Sequence, residues 1–399
     1  MRNIFIILSL FSLTSCYFTK ALKYKKYELK SLGDFEADKF KKSERPFQFT
    51  KGSLDKNMKL ELDSMLIGSN RYAFLVIRND SILYEFYNQN ITDSSLLPSF
   101  SVAKSFVSTM VEMALEEGKI KSLSEPITNY IPELKERDGR FEKITIQHVL
   151  DMRSGVKSSE NYYNPFSDVL RLGFGKNIIK KTLKLDIESE PNLNFDYKSV
   201  NTQLLGIIVE RATKRKLQDY FYEKIYTPLE MQYDGTWMVD DKKHREVRAF
   251  CCLNMAALDY AKFGKLFLDK GVFNGKRLIK SSWVEKISNL DTLAAYQGYK
   301  NQWWAGTRWR SFSDSSRMNL FVEKFKDKIL ISNKFGGSDG QPRWMIQYMD
   351  GNYYARGLLN QYIYVIPEKN TILVHFGNSQ NPNNPLKKGF ELKVEEWFK

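Results

Sequence analysis

Two residues with complementary chemistry, Ser101 and Lys104, stand three positions apart at the start of an apolar stretch. The stretch predicts a helix, on which residues three apart share a face with about 5–6 Å between Cβ atoms, so the amine can take the serine proton directly. Ser99 is the predicted N-cap, which places Ser101 in the first turn, where free N–H groups and the helix dipole favour an oxyanion. Burial and this dipole predict a lowered pKa for Lys104, so that it can act as a base.

The same spacing occurs a second time, at Ser53 and Lys56. That pair lies in a lysine-rich segment with no apolar helix behind it, and such pairs are usually ordinary helix starts. The sequence context therefore selects Ser101 and Lys104 as the candidate nucleophile and base.

Composition indicates a globular protein with a substantial core. The chain has 399 residues, 42% of them hydrophobic and 14% aromatic, and a formal net charge of +14. Its lysines are scattered and lack the aromatic interleaving of a nucleic-acid binder, so no nucleic acid partner is expected. No cysteine or histidine spacing indicates a metal, and no cofactor is expected. Adjacent cysteines bridge only with unusual geometry, so Cys251 and Cys252 are predicted to be buried free thiols.

The first residues resemble a bacterial lipoprotein leader. Residues 1–15 combine one arginine with an apolar run too short to span a bilayer, as in a secretory signal peptide. Leu13-Thr14-Ser15-Cys16 resembles a lipobox, in which the cysteine is lipidated. The alternative is a cysteine that merely follows a plain signal. The lipobox interpretation predicts a protein anchored in the cell envelope through Cys16 and facing away from the cytoplasm.

Hydrophobic patterns predict how the rest of the chain is organised. Residues 16–52 are expected to form a lipidated tether, and residues 126–289 a mainly helical subdomain. Residues 53–125 and 290–399 are expected to share one α/β domain of the α+β kind, because strand patterns occur at both ends of the chain. The first two strand patterns flank a hairpin turn at residues 78–81.

Several further stretches, in order along the chain, resemble the β-lactamase-related serine hydrolases. This group includes class C β-lactamases, DD-peptidases, carboxylesterases and 6-aminohexanoate-oligomer hydrolases. The resemblance implies the β-lactamase/transpeptidase-like fold, in which an antiparallel sheet is flanked by helices. The matching stretches are SVAKS at 101–105, ITIQHVLDMRSG at 144–155, FDYKSVNTQLLG at 195–206, and FG at 263–264 followed by GVFNGK at 271–276.

The resemblance also implies roles for individual residues. Tyr197 matches the tyrosine that faces the serine and lysine, where it would relay protons with its phenolate charge held by Lys104. Tyr162 matches a loop tyrosine that reaches the substrate, although a plain surface aromatic is an equal alternative. Ser199 is a further candidate substrate contact. A strand near Gly357 would complete the oxyanion hole with a second backbone N–H.

Two departures from the β-lactamase pattern separate this chain from penicillin-cleaving relatives. Their Tyr-x-Asn motif reads Tyr197-Lys198-Ser199 here, as in the esterase and amide-oligomer hydrolase branch. Their Lys-Thr-Gly strand motif is missing, and its counterpart is either residues 352–354 or residues 356–357. The expected activity is therefore hydrolysis of a small ester or amide through a Ser-Lys-Tyr acyl-enzyme mechanism. A β-lactamase or DD-peptidase activity is the alternative.

Two rival interpretations remain. Residues 336–340 read GGSDG, which matches a nucleophile elbow with Asp350 and His375 following in α/β-hydrolase order. The strand-like sequence after residue 340 opposes it, because an elbow needs a helix directly behind its serine. The other rival is a non-catalytic binding lipoprotein on the same scaffold, although such a module would not need an aligned nucleophile and base.

Overall fold

The computed structural model describes residues 29–88, 90–288, 290, 297–336 and 342–378, with the single positions 17, 20 and 398. The predicted signal peptide and Cys16 lie outside these residues. Within the described part, no helix has both the length and the apolar composition needed to cross a bilayer.

Eleven α-helices occur among the described residues, and several are single turns. They are α1 (Lys56–Leu66), α2 (Ala103–Glu116), α3 (Pro132–Arg137), α4 (Ile146–Leu150), α5 (Asp168–Phe174), α6 (Ile178–Thr182), α7 (Ser199–Thr213), α8 (Leu217–Phe221), α9 (Ala257–Leu268), α10 (Ser281–Ser288) and α11 (Ser315–Lys324).

The strands are mostly short before residue 300 and longer after it. They are β1 (Ala37–Phe40), β2 (Thr50–Lys51), β3 (Arg71–Arg78), β4 (Ser81–Tyr87), β5 (Leu97–Pro98), β6 (Val156–Lys157), β7 (Asp186–Ile187), β8 (Gly235–Met238), β9 (Leu253–Met255), β10 (Val272–Phe273), β11 (Lys276–Arg277), β12 (Tyr299–Lys300), β13 (Trp303–Phe312), β14 (Ile329–Gly336), β15 (Pro342–Gly357), β16 (Gln361–Ile366) and β17 (Thr371–Gly377).

One large sheet is built from both ends of the chain, as the sequence predicts. Its order is β12-β13-β15-β16-β17-β3-β4-β2, with β14 also paired to β15. All pairings are antiparallel except β2 with β4. The predicted hairpin joins β3 to β4, and its turn residues Asn79 and Asp80 have positive φ angles of 50° and 58°, as a two-residue hairpin turn of type I′ requires.

Helices cover both faces of the sheet, which confirms the predicted α+β arrangement. Leu62 and Leu66 of α1 pack on one face with Phe74, Val76 and Leu373. On the other face α9 lies so close that a Cβ at Gly264 would meet Ile372 at 2.8 Å. Beyond α9, the ring of Phe106 from α2 stacks on Phe263 with 3.7 Å between centroids. The nearly wholly buried α2 is thus held rigidly behind Ser101.

The predicted tether is partly wrong. Residues 37–51 belong to the folded part, because β1 pairs with β8 and β2 pairs with β4. The reason is aromatic burial within a lysine-rich segment, since Phe40 and Phe49 are only 4% and 8% exposed. Burying such side chains outweighs the polar composition around them.

A small sheet of order β1-β8-β9-β5 supports the turn that carries Ser101. Strand β5 leads into Ser99, and β9 begins at Leu253. The backbone N–H of Ser99 donates to the Leu253 carbonyl at 2.8 Å, and the Leu253 N–H donates to the Ser99 hydroxyl at 3.1 Å. This pairing fixes the chain on either side of the candidate site.

The prediction of free thiols at positions 251 and 252 is also wrong. Cys251 and Cys252 form a disulfide between neighbouring residues. The backbone turn before β9 makes the pairing possible, because Cys252 adopts a positive φ of 72°. The disulfide directly follows Phe250, whose carbonyl contacts Lys104.

Candidate active site

The turn that carries Ser101 differs from the sequence prediction in one respect. Ser99 does not cap a helix with its side chain; its hydroxyl donates to the Phe100 carbonyl at 3.0 Å. A 3₁₀ turn at Phe100–Val102 holds Ser101, and α2 begins only at Ala103. Phe100 has a positive φ of 43°, a strained backbone for a bulky residue that the surrounding contacts must maintain.

Lys104 lies directly against the candidate nucleophile. Its Nζ lies 2.9 Å from Ser101 Oγ, within hydrogen-bond distance, and donates to Ser199 Oγ at 3.1 Å and to the Phe250 carbonyl at 3.0 Å. The side chain is 1% exposed, whereas Ser101 is partly exposed. Burial lowers the pKa of Lys104 from 10.5 to about 8, and the negative charge of Glu160 opposes this shift. The predicted direction of the pKa shift is confirmed.

Tyr197 completes the group around Ser101. Ser101 acts on the Tyr197 hydroxyl by lowering its pKa, and Lys104 Nζ lies 5.2 Å from the Tyr197 ring centroid. The ring stacks on Trp304 and meets Tyr299 edge-on, with 5.8 Å between centroids in each case. Burial raises the pKa of Tyr197 above its ordinary value, so the hydroxyl keeps its proton at neutral pH. This finding favours Lys104, rather than a tyrosine phenolate, as the base.

Lys198, the residue after Tyr197, is anchored to its surroundings away from Ser101. Lys198 points the other way and is 5% exposed. Its Nζ donates to the Val156 carbonyl at 2.8 Å and forms ion pairs with Glu188 and Asp196. Helix α7 begins at the next residue, Ser199. In this motif the side chains of Tyr197 and Ser199 therefore lie in the site, whereas that of Lys198 anchors the backbone between them.

Ser199 differs from its predicted role. It is 0% exposed, and its hydroxyl accepts from Lys104 and donates to Glu160 Oε1 at 2.6 Å. Both bonds are inside the protein, so the hydroxyl holds Lys104 rather than touching a substrate. The assignment of Ser199 as a substrate contact is therefore revised.

The loop between β6 and α5 brings Tyr162 to the same place. The Tyr162 hydroxyl donates to Glu160 Oε1 at 2.8 Å, and the side chain is 40% exposed. Tyr163 and Phe166 on this loop are 86% and 60% exposed, so an aromatic rim stands next to the site. Contact of Tyr162 with a substrate stays a prediction.

Gly357 ends β15 beside the serine turn. A Cβ at this position would lie 2.4 Å from the Ser99 carbonyl oxygen and 3.2 Å from Phe100 Cβ. Only glycine lets the strand approach so closely. This packing favours residues 356–357 over residues 352–354 as the counterpart of the missing strand motif. Tyr353, in contrast, is 3% exposed and donates from its hydroxyl to the Phe267 carbonyl at 2.9 Å.

The rival elbow gains no support from its described members. The Asp350 carboxylate accepts from Arg308 Nε at 2.6 Å, and His375 Nδ1 bonds to the Asn360 carbonyl. Burial lowers the pKa of His375 to about 3, so it is neutral. Residues 337–340, with the proposed serine, lie outside the described part of the chain.

Among the residues that the structure describes, one group of side chains has metal-ligand chemistry. Possible ligand atoms of Asp240, Asp241 and His244 lie within 4.8 Å of one another. Backbone N–H groups of Ile178, Lys243 and His244 already bond to these carboxylates, so the group has a structural role in its loop.

Comparison with known proteins identifies the family of the chain. A profile of the Beta-lactamase family matches residues 71–396. The 6-aminohexanoate-dimer hydrolase of Paenarthrobacter ureafaciens is 27% identical over 284 residues, which cover 65% of this chain and 71% of that protein.

Solved structures show the same fold. A Bacillus anthracis protein provisionally named a 6-aminohexanoate-dimer hydrolase superposes with a TM-score of 0.69 at 20% identity, covering 94% of this chain and 93% of the other. A D-alanine carboxypeptidase from Burkholderia cenocepacia gives 0.53 at 13% identity, with 85% and 97% covered. The fold is that of β-lactamases and transpeptidases, and the chain belongs to the Beta-lactamase family of hydrolases.

Proposed function

We propose that this protein is a serine hydrolase that cleaves ester or amide bonds through an acyl-enzyme on Ser101. The observation that carries the proposal is the position of the Lys104 amine, 2.9 Å from Ser101 Oγ, in a site that the Tyr197 hydroxyl also joins. A buried amine with a pKa of about 8 is a base suited to a serine hydroxyl near neutral pH.

The residues divide the reaction as follows. Ser101 Oγ attacks the carbonyl carbon while its proton passes to Lys104 Nζ. The proton then travels through the Tyr197 hydroxyl to the leaving alcohol or amine as the acyl bond breaks. A water molecule then attacks the acyl-enzyme and gives a proton to the Tyr197 and Lys104 pair. A proton returns from this pair to Ser101 Oγ as the acyl bond breaks.

The tetrahedral intermediate needs donors for its oxyanion. The Ser101 N–H is one, and the end of β15 at Gly357 is positioned to supply the second, because its backbone packs against the serine turn. Donors fixed in this way stabilise the developing charge without having to reorganise.

An ester or amide with an apolar part is the substrate class that the surroundings favour. Tyr162, Tyr163 and Phe166 form an exposed aromatic rim, which is the kind of surface that binds apolar groups. The relative from Paenarthrobacter ureafaciens is named for hydrolysis of an amide dimer. The sequence departures at Ser199 and at the strand motif point away from β-lactams.

A substrate panel tests this assignment. We expect short-chain p-nitrophenyl esters or a linear 6-aminohexanoate dimer to be hydrolysed, with nitrocefin turned over about 10²–10³-fold more slowly, because motifs that hold a β-lactam are missing. Ser101→Ala serves as the blank. Rapid nitrocefin hydrolysis without ester or amide turnover would make this protein a β-lactamase instead.

We further propose that the protein is a lipoprotein of the cell envelope, anchored at Cys16. Support comes from the lipobox-like sequence alone. Cys16→Ser is expected to move the protein from the membrane fraction to the soluble fraction, because a diacylated residue anchors stably and a free chain does not. Unchanged fractionation would mean that the anchor is absent or lies elsewhere.

A further inference from the structure

We propose that Glu160 is a positioning residue: through the Ser199 hydroxyl, it orients the Lys104 amine so that the free electron pair of the amine faces Ser101. The inference rests on the proposed function, because it assigns a task within the same site. Glu160 lies on the loop before α5 and is 39 positions away from Ser199 in the sequence.

The first step concerns the proton of Ser199. Glu160 Oε1 accepts from Ser199 Oγ at 2.6 Å, and Glu160 Oε2 accepts from the Ser199 N–H at 2.8 Å. An ionised carboxylate can only accept, and a hydroxyl has only one proton to donate. The Ser199 proton is therefore committed to Glu160, and toward Lys104 the Ser199 oxygen can only accept.

The second step concerns the Lys104 amine. Its three partners are Ser199 Oγ, the Phe250 carbonyl and Ser101 Oγ. A carbonyl oxygen can only accept, and Ser199 is now also restricted to accepting. In the neutral amine both hydrogens are used by these two oxygens, so the remaining corner of the nitrogen is its free electron pair, which faces Ser101. The serine proton is thus directed at the base that removes it.

The effect of losing the Glu160 carboxylate follows from the same donors and acceptors. Without it, the Ser199 hydroxyl can turn its proton toward Lys104 and occupy the electron pair. A lysine hydrogen would then face Ser101, which is an unproductive arrangement. Glu160 also accepts a hydrogen bond from the Tyr162 hydroxyl, so it links Tyr162, through Ser199, to Lys104.

Other charged groups nearby act on different atoms. Arg356 lowers the pKa of Tyr197, whereas Glu160 raises it. Glu160 and Tyr197 both raise the pKa of Tyr162. Lys198, next to Ser199, is neutralised by Glu188 and Asp196. Among the described residues, Glu160 is the acidic group whose charge acts on Lys104.

The test is Glu160→Gln, with the rate at which a fluorophosphonate labels Ser101 measured across pH. The glutamine amide can donate to Ser199, which frees the Ser199 proton. We expect labelling at the high-pH plateau to slow by about 10- to 100-fold, as for loss of an oriented hydrogen bond to a charged group. The midpoint of the pH dependence should also move to lower pH, because a negative charge that favoured the ammonium form is gone.

Two further variants make the result specific. Glu190→Gln removes a carboxylate that is 61% exposed and paired with Lys143, and it should change neither the plateau nor the midpoint. Ser199→Ala breaks the link while leaving Glu160 in place. Ser199→Ala should slow labelling by a similar factor. Adding Glu160→Gln to Ser199→Ala should slow labelling much less than Glu160→Gln does in the wild type. Thermal melting by circular dichroism confirms folding, and Ser199→Ala decides the question if Glu160→Gln does not fold.

The outcomes separate the two proposals. A wild-type protein that is not labelled at Ser101 would overturn the proposed function and this inference with it. Labelling of the wild type with an unchanged plateau rate in Glu160→Gln, or with additive effects in the double variant, would overturn the inference alone. In that case Glu160 would serve only to anchor its loop.

Discussion

Replacing Ser101 by alanine is expected to lower kcat/KM for ester hydrolysis by about 10⁴-fold or more, because it removes the atom that forms the acyl-enzyme. The substitution leaves Lys104 with its bonds to Ser199 and Phe250, so the fold should be kept. The measurement is initial-rate kinetics on the best ester from the panel, with melting temperatures for both proteins.

The second serine-lysine pair of the chain provides a matched control. Ser53 is exposed and lies just before α1, far along the chain from the site, so Ser53→Ala should retain full activity. Equal turnover by Ser101→Ala and the wild type would remove Ser101 from the mechanism.

Lys104→Met is expected to lower kcat/KM by about 10²–10⁴-fold, the usual contribution of a general base. In the wild type, kcat/KM should rise with pH and level off above a midpoint near pH 8, because the amine accepts a proton only in its neutral form and burial lowers its pKa to about 8. Methionine keeps the length of the side chain but cannot accept a proton, so this limb should vanish from the pH profile.

The matched control is Lys56→Met, which removes an exposed lysine of the same motif and should preserve both the rate and the pH midpoint. A pH limb near 8 that persists in Lys104→Met would assign the titration to another group and remove Lys104 as the base.

Local patterns predict those parts of the fold that local interactions decide. The β3–β4 hairpin follows from Asn79 and Asp80, which tolerate a positive φ. The serine-lysine geometry follows from helical spacing. Tyr197 is identified because its motif matches a family pattern, not because any property of tyrosine marks it.

Long-range packing decides what the sequence does not predict. Strand β1, within the predicted tether, depends on a partner about 200 positions away, as in the pairing of Ala37 with Met238. The role of Glu160 depends on a loop meeting the start of α7. The disulfide at Cys251 depends on a backbone turn that residue types do not specify. The resemblance at Tyr162 marks the right loop, although it singles out the tyrosine and not Glu160.

The most direct test of the central claim is to trap the covalent intermediate. The wild-type protein, mixed with a slowly hydrolysed ester or a fluorophosphonate, is examined by intact-protein mass spectrometry and then by peptide mapping. We predict one adduct per chain, on a peptide that contains Ser101, and no adduct in Ser101→Ala. An adduct on any other residue, or hydrolysis with no acylated Ser101 under rapid quenching, would contradict the account.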